Sequence, residues 1–449
     1  MGRLFGTDGV RGVANKELTP ELAFNLGKAG TYVLKAKNKR PVVVIGKDTR
    51  ISGDMLESAL TAGILAVGGN VIKLGVIPTP AVAYLARYYN ADAGIVISAS
   101  HNTFEYNGIK FFNGDGYKLD DLLEEKIEDI IISSVDVNSH ITGELIGRCL
   151  EASENAADLY VKHLLQTVDF RLDGVKVALD CANGAASRLA PRLLRSLGVT
   201  VVAMHDKPDG TNINLGCGST HLGSLQQAVV AQQAHLGLAF DGDADRMLAV
   251  DELGHVVDGD QIMLICARAL KEAGKLADDT LVVTVMSNLG LTLAAQTLGI
   301  KLETTAVGDR YVLERMLEKG YVLGGEQSGH IIMLEDNTTG DGMASALRLM
   351  GAMVASGQPL SRLASIMTVL PQVLVNITVD NAKKNAWEQD EEIQSALREK
   401  EAHYAGRGRI LVRASGTEPL VRVMIEGEEQ ASIERDAREL ADLIAGKIG

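Results

Sequence analysis

Three aspartates in the segment DGDADR have the spacing of a cation site. Asp241, Asp243 and Asp245 come directly after the apolar stretch 236–240, so their carboxylates cluster just past a predicted strand. Like charges this close repel one another unless a cation or hydrogen-bond donors compensate them. Oxygen ligands suit Mg²⁺, which keeps coordination positions for water or phosphate. We therefore predict a magnesium site, against the alternative of an acidic turn that only caps a helix.

A polar turn after another apolar strand contains a candidate nucleophile. Residues 95–103 read IVISASHNT, and we expect the turn to expose Ser98, Ser100, His101 and Asn102. In α/β proteins, reactive groups are found beyond the carboxyl ends of parallel strands. By itself the motif does not distinguish a reactive serine from an ordinary solvated loop.

A glycine-containing turn near the end of the chain is suited to holding phosphate. In the segment RASGTEPLVR, Gly416 lets backbone amides approach an anion, between the hydroxyls of Ser415 and Thr417 and the guanidiniums of Arg413 and Arg422. Such donors form strong, charge-assisted hydrogen bonds to phosphate. The alternative is a hairpin turn with surface arginines.

A second glycine-rich turn, GGEQSGH at 324–330, lies between two apolar segments. A carboxylate and a hydroxyl in such a turn, here Glu326 and Ser328, can bind sugar hydroxyls or an amine. His330 closes the turn, although a single histidine is more often a surface or core residue.

The elements that would position these turns follow a repeated order of strand, polar turn, helix, terminal glycine and strand. This order is the signature of a βαβ unit, and the apolar strands indicate mostly parallel sheets covered by helices. The predicted strand pairs are 42–45 with 71–74, 175–179 with 199–202, and 281–285 with 300–302.

The last part of the chain has a different pattern. Strands are predicted at 373–379, 410–412 and 421–425, followed by a charged amphipathic helix at about 433–448. This pattern indicates an α+β module with an antiparallel sheet. The predicted fold is three similar α/β domains and a C-terminal α+β domain. The predicted boundaries are 1–150 with the serine turn, 151–250 with the aspartates, 251–368 with the glycine-rich turn, and 369–449 with the phosphate turn.

Composition excludes several classes of function. The 449 residues carry a net charge of −14 and only 4% aromatic side chains, which argues against nucleic-acid binding. Neither a P-loop sequence nor a complete dinucleotide fingerprint occurs. The four cysteines are widely spaced, as in reduced core positions. No apolar run suggests a signal peptide or a membrane span, so we expect a cytoplasmic protein.

Together and in this order, the motifs resemble the α-D-phosphohexomutase family. The resemblance begins with GTDGVRG at 6–12 and ends with the turn at 413–422. It implies that the three α/β domains and the α+β domain surround a central cleft. It also implies an isomerase, an intramolecular phosphotransferase that works through a phosphoserine and a sugar bisphosphate.

By this resemblance, Ser100 is the serine that must be phosphorylated for the protein to be active. The phosphoserine would hold one Mg²⁺ per subunit together with Asp241, Asp243 and Asp245.

The remaining roles concern the substrate and its protons. Substrate-binding residues implied by the resemblance are Glu326, Ser328, Arg413, Ser415, Gly416, Thr417 and Arg422. Catalytic residues implied beside Ser100 are Lys110 and His330 for proton transfer, with Arg11 and Arg246 near the phosphoserine.

Two residues depart from the family pattern. Thr103 stands where proline is usual, and Tyr106 stands where a small acidic or amide residue is commoner. Both departures concern the rigidity of the serine loop rather than a catalytic side chain.

The substrate is expected to be a sugar phosphate, with a sugar bisphosphate as intermediate and activator. The GEQSGH turn is similar to the branch that acts on glucosamine phosphates and feeds UDP-N-acetylglucosamine and cell-wall precursor synthesis. Alternatives are a mannose or glucose phosphate mutase, a Mg²⁺-dependent phosphatase with Asp241 as nucleophile, and a non-catalytic sugar-phosphate binder. A homodimer is compatible with the resemblance, and neither nucleic acid nor a membrane is expected as a partner.

Overall fold

The computed structural model describes residues 4–6, 9–35, 40–152, 154–380, 383–414 and 419–448. They form two compact units, Met1–Met286 with Ile300–Ser365, and Ser287–Gly299 with Ile366–Gly449. None of the helices in the described ranges has the uninterrupted apolar length that crossing a bilayer requires.

The first sheet carries the serine turn. Its elements are β1 (Val10–Val13), α1 (Pro20–Leu34), β2 (Val42–Lys47), α2 (Gly53–Ala66), β3 (Asn70–Val76), α3 (Thr79–Tyr88), β4 (Ala93–Ile97), β5 (Tyr106–Asn113), α4 (Asp121–Ile132) and β6 (Cys149–Leu150). The strand order is β1-β5-β4-β2-β3-β6. Strand β4 is buried along its whole length, which fixes the start of the serine turn.

The second sheet carries the aspartates. Its elements are α5 (Ala156–Gln166), β7 (Lys176–Asp180), α6 (Ala186–Ser196), β8 (Thr200–Met204), α7 (Gly223–Gln232), β9 (Leu236–Phe240), β10 (Met247–Asp251) and β11 (Val256–Val257). The strand order is β11-β10-β9-β7-β8. Strand β9 is buried throughout and leads directly into the aspartate turn.

The third sheet carries the glycine-rich turn between its last two strands. The elements of this part of the chain are α8 (Gly259–Glu272), β12 (Thr280–Thr284), α9 (Leu289–Thr297), β13 (Lys301–Thr305), α10 (Asp309–Lys319), β14 (Leu323–Gly325), β15 (Ile331–Met333), α11 (Gly342–Ser356) and α12 (Leu360–Ala364). The strand order is β13-β12-β14-β15.

The three predicted strand pairs are confirmed. The pairs β2–β3, β7–β8 and β12–β13 are all parallel. Each sheet also has antiparallel strands at one edge, β5 and β1 in the first, β10 and β11 in the second, and β15 in the third. Short polar turns rather than helices join β4 to β5, β9 to β10 and β14 to β15, and these are the turns with the candidate site residues.

The second unit contains a three-stranded antiparallel sheet, as predicted. Besides α9, its elements are β16 (Gln372–Thr378), α13 (Glu391–Tyr404), β17 (Gly408–Ala414), β18 (Leu420–Gly427) and α14 (Gln430–Ile448), with the strand order β16-β18-β17. Helix α14 buries Ile433, Leu440 and Ile444 in a core with β18. The α+β assignment is therefore confirmed.

Candidate active site

Ser100 lies just beyond β4, with its side chain turned inward. Its Oγ donates a hydrogen bond of 2.6 Å to Oδ2 of Asp241, and the residue is only 1% exposed. The expectation that the turn exposes Ser98 and Ser100 is wrong. Ser98 is fully buried because its Oγ donates to Oδ2 of Asp48 and accepts from the backbone N–H of Ser100.

The backbone of the serine turn is held by a buried arginine that sequence reasoning missed. Arg50 donates to the carbonyl oxygens of Ser100, Asn102 and Thr103 at 3.0, 2.9 and 2.5 Å. It is itself fixed by Asp48, 2.8 Å from its Nε. These bonds hold the backbone of the turn, including the carbonyl of Thr103, one of the two residues that depart from the pattern of the resembled family.

A second clamp reaches the same turn from the loop after β8. The side-chain amide of Asn214 donates to the carbonyl oxygens of Ser100 and Asn102, both at 2.8 Å. Gly242 permits this approach, because a Cβ there would lie 2.5 Å from the Ser100 carbonyl oxygen. The two clamps hold Ser100 at a φ of 51°, in the left-handed region that a non-glycine residue rarely adopts.

The three aspartates converge in the turn between β9 and β10. All are buried, and each offers a carboxylate oxygen within 4.8 Å of the others. Oδ1 of Asp243 and Oδ1 of Asp245 are buried and have no hydrogen-bond partner among the residues that the structure describes. Burial, reinforced by Asp245 and Asp243, raises the pKa of Asp241 well above its usual range. Buried carboxylate oxygens without a hydrogen bond, in a cluster of three aspartates, fit an oxygen-coordinated divalent cation.

Lys110, on β5, contacts the same cluster. Its ammonium nitrogen lies 2.9 Å from Oδ2 of Asp243 and 3.5 Å from Oδ2 of Asp245, and the residue is 2% exposed. Burial alone would raise the pKa of Asp245, but Lys110 and His330 bring it well below the usual value. The structure therefore places the Lys110 ammonium beside the aspartates, and its predicted role in proton transfer stays a prediction.

His330 lies between two carboxylates. Its Nδ1 is 3.7 Å from Oδ2 of Asp245, and its Nε2 is 3.3 Å from Oδ2 of Asp309. Burial lowers the pKa of His330, but Asp309 and Asp245 outweigh burial and raise it. Asp309 was missed in the sequence, although a carboxylate opening a helix soon after a strand was an available signal.

Two guanidiniums, those of Arg246 and Arg11, lie near His101, the residue that follows Ser100. The backbone N–H of Arg246 donates to Oδ1 of Asp241 at 3.2 Å, and its Nη1 is 3.4 Å from Nδ1 of His101. Burial and the charges of Arg246 and Arg11 lower the pKa of His101 to about 4. His101 is therefore a neutral imidazole near pH 7 and adds no positive charge next to Ser100.

The glycine-rich turn joins β14 to β15 and carries the predicted sugar ligands. Glu326 is half-buried and Ser328 is exposed, with the Ser328 hydroxyl 3.4 Å from a Glu326 carboxylate oxygen. The backbone N–H of Glu326 donates to the carbonyl of His330 at 3.0 Å. One short hairpin thus places Glu326 and Ser328 next to His330.

The predicted phosphate turn is described only in part. Arg413 on β17 and Arg422 on β18 are directly opposite partners in the second unit. Burial, followed by the charge of Arg422, lowers the pKa of Arg413. Ser415, Gly416 and Thr417 lie outside the described residues. Paired like charges on adjacent strands favour an anion between them.

The fold and these turns agree with a known family of phosphosugar mutases. Four successive segments match the phosphoglucomutase/phosphomannomutase family: alpha/beta/alpha domain I at 2–136, domain II at 158–254, domain III at 258–370 and the C-terminal domain at 374–443. The chain belongs to this family.

The chain is also similar to individual proteins of known sequence or structure. A protein of Clostridium botulinum (strain Eklund 17B / Type B), named phosphoglucosamine mutase, is 58% identical over 449 residues, covering 100% of both chains. The structure of a phosphoglucomutase/phosphomannomutase family protein from Burkholderia thailandensis has a TM-score of 0.81 at 24% identity, covering 99% of this chain and 98% of that one. Aspergillus fumigatus N-acetylphosphoglucosamine mutase, in complex with GlcNAc-6P and magnesium, has a TM-score of 0.69 at 18% identity, covering 99% and 95%. At these identities the two structures support the fold alone.

Proposed function

We propose that this chain interconverts glucosamine 6-phosphate and glucosamine 1-phosphate through a phosphorylated Ser100 and a glucosamine bisphosphate. The observation that carries the proposal is the position of the Ser100 Oγ, 2.6 Å from Asp241 at the edge of three buried carboxylates. Full-length relatives at 56–58% identity carry the name phosphoglucosamine mutase, which supports the amino sugar as substrate.

We propose Mg²⁺ as the cation of the aspartate cluster. Asp241, Asp243 and Asp245 would hold it together with a phosphate oxygen on Ser100, and the orphaned oxygens of Asp243 and Asp245 support this set. When bound, Mg²⁺ offsets negative charge on the transferring phosphoryl group. The magnesium in the complex of the Aspergillus fumigatus enzyme is consistent with the choice of metal.

The chain's own residues supply the rest of the chemistry. In the first half-reaction the bond from phosphorus to Ser100 Oγ breaks, and a new bond forms from phosphorus to the free sugar hydroxyl. The hydroxyl proton passes to a base, for which Lys110 and His330 are the candidates beside the carboxylates. Arg11 and Arg246 would stabilise the phosphate on Ser100.

Substrate binding would be divided between two turns. The half-buried Glu326 and the exposed Ser328 would bind sugar hydroxyls and the amine. The paired guanidiniums support the assignment of the phosphate that does not react to Arg413, Ser415, Gly416, Thr417 and Arg422. A phosphate site separate from Ser100 is what a mutase needs, since the bisphosphate must bind in both orientations.

The division into four domains is also a proposal. The family matches at 2–136, 158–254, 258–370 and 374–443 support boundaries near the ones predicted from the sequence. These predicted domains are 1–150, 151–250, 251–368 and 369–449.

Transfer of a label tests the function directly. Protein phosphorylated on Ser100 with labelled phosphate is mixed with glucosamine 6-phosphate, and the sugar phosphates are separated from inorganic phosphate. We expect the label in glucosamine phosphates and none after the same treatment of Ser100→Ala. Label found chiefly in inorganic phosphate would instead indicate a phosphatase.

The same experiment tests the substrate. Mannose 6-phosphate and glucose 6-phosphate are offered at the same concentration as glucosamine 6-phosphate. Preferential labelling of either competitor would overturn the glucosamine assignment while leaving the phosphoserine assignment intact.

A further inference from the structure

A second group of metal-binding side chains lies at the carboxyl end of the second sheet. Asp180 ends β7, His205 follows β8, and Cys217 belongs to the loop before α7. One potential ligand atom of each lies within 4.8 Å of the other two. Asp180 and Cys217 are fully buried, and the His205 side chain is 30% exposed. None of these residues has a part in the proposed phosphate transfer.

The carboxylate of this cluster is held rigidly. Oδ1 of Asp180 accepts the backbone N–H of Ala182 at 2.9 Å, and Oδ2 accepts that of Gly218 at 3.0 Å. These bonds orient Asp180 and bring the Cys217 segment to it. They leave lone pairs on both carboxylate oxygens, since each oxygen can accept more than one hydrogen bond.

Nδ1 of His205 is not satisfied by a hydrogen bond to the neighbouring aspartate. Nδ1 of His205 lies only 3.0 Å from Oδ2 of Asp180, yet it is buried and makes no hydrogen bond of acceptable geometry among the described residues. A buried polar atom without a partner destabilises the folded protein. Two ligands of one cation lie close together but point at the cation and not at each other. The close approach of His205 Nδ1 and Asp180 Oδ2 without a hydrogen bond resembles such a ligand pair.

We propose that Asp180, His205 and Cys217 form a site for a zinc-like divalent transition metal. Imidazole, thiolate and carboxylate together suit Zn²⁺, whereas Mg²⁺ prefers oxygen ligands. The ion would be bound by Nδ1 of His205, Sγ of Cys217 and a carboxylate oxygen of Asp180. The Cys217 thiol loses its proton to solvent as the ion binds, and a water takes the fourth position.

The position of the site indicates a structural role. Asn214 lies between His205 and Cys217 in the chain, and its amide holds the carbonyls of the serine turn. An ion that joins both ends of the 205–217 segment to the end of β7 would restrict the loop that carries this clamp. The bound metal is therefore expected to slow amide hydrogen exchange in residues 205–222.

Cobalt serves as the spectroscopic probe. The full-length protein is stripped with a chelator, given excess Mg²⁺ to occupy the aspartate cluster, and titrated with Co²⁺. We expect a thiolate-to-cobalt charge-transfer band in the near ultraviolet that saturates at one equivalent and is abolished by one equivalent of Zn²⁺. Absence of this band in the unmodified protein would overturn the proposal without any variant.

Matched variants locate the ligand. Cys217→Ala and His205→Gly are expected to lose the band, whereas Cys266→Ala, which removes another buried thiol, is expected to keep it. Glycine at 205 tolerates the φ of 48° found there. A charge-transfer band that survives Cys217→Ala would contradict the site. Hydrogen exchange in 205–222 that Zn²⁺ leaves unchanged would contradict its structural role.

Discussion

Replacing Asn214 by alanine tests whether the clamp on the serine turn matters for turnover. Asn214 donates two hydrogen bonds of 2.8 Å to the carbonyls of Ser100 and Asn102. The variant removes both donors and leaves the nucleophile, the aspartates and the proton-transfer candidates unchanged. We expect kcat to fall and KM to change little, because in the proposed mechanism the serine turn carries the phosphate and does not bind the sugar.

The magnitude follows from what remains after the substitution. Arg50 still donates to both carbonyls, at 3.0 and 2.9 Å, so neither is left without a partner. Each lost bond is then worth about 1 kcal/mol, or about 2 kcal/mol together. If the transition state requires the turn in its clamped position, about 2 kcal/mol corresponds to an approximately 30-fold loss of kcat.

Backbone strain needs its own control, because Asn214 has a φ of 58°. Alanine in the left-handed region costs about 1–2 kcal/mol of stability wherever it occurs. Asn90→Ala pays the same cost at a φ of 48° on an exposed residue outside the site. Turnover of the phosphorylated enzyme and thermal unfolding are measured for both variants. Equal kcat values for the two would refute a catalytic role of the clamp.

Three further outcomes are expected. Chelation should abolish turnover, and added Mg²⁺ should restore it. Asp243→Asn should lower turnover by about 100-fold or more, since the cation's charge stabilises the transition state by several kcal/mol. Full activity after exhaustive chelation would exclude the metal site. Arg422→Ala should raise KM by about 10- to 100-fold through the loss of charge-assisted bonds to phosphate, and added sugar bisphosphate should partly restore the rate; an unchanged KM would argue against the phosphate turn. A thiol reagent at mildly alkaline pH should modify the exposed Cys149 quickly and Cys266 only on unfolding, because burial raises the pKa of Cys266 to about 12. Peptide mapping identifies the modified cysteine, and rapid modification of Cys266 in the folded protein would contradict its burial.

The sequence predicted the elements well because their patterns are local. The apolar runs at 42–45, 175–179 and 281–285 each became a parallel strand, shifted by at most two residues at either end. The antiparallel edge strands were not recognised as such. Their direction depends on the short turns that follow β4, β9 and β14, and an apolar run by itself carries no information about direction.

The candidate site was predictable in its charged motifs and less so in its supports. Three aspartates in five residues attract notice, but Arg50 and Asn214 are single polar residues whose role appears only when distant segments meet. Exposure of Ser98 and Ser100 was expected because polar turns are usually solvated. Acceptors from other loops, Asp48 and Asp241, bury both hydroxyls, and sequence alone does not reveal such long-range partners.

The contact between Ser100 and Asp241 has a consequence for how phosphorylation of Ser100 and cation binding would depend on each other. A phosphate on Ser100 adds a charge of about −1.5 to −2 beside a buried carboxylate. A divalent cation adds nearly the opposite amount, so phosphate and cation together leave the pocket close to its original net charge. Each therefore favours the other, and thermodynamic linkage makes the effect mutual. In the proposed mechanism, phosphorylation of Ser100 would therefore strengthen cation binding by the same factor by which the cation stabilises the phosphorylated form.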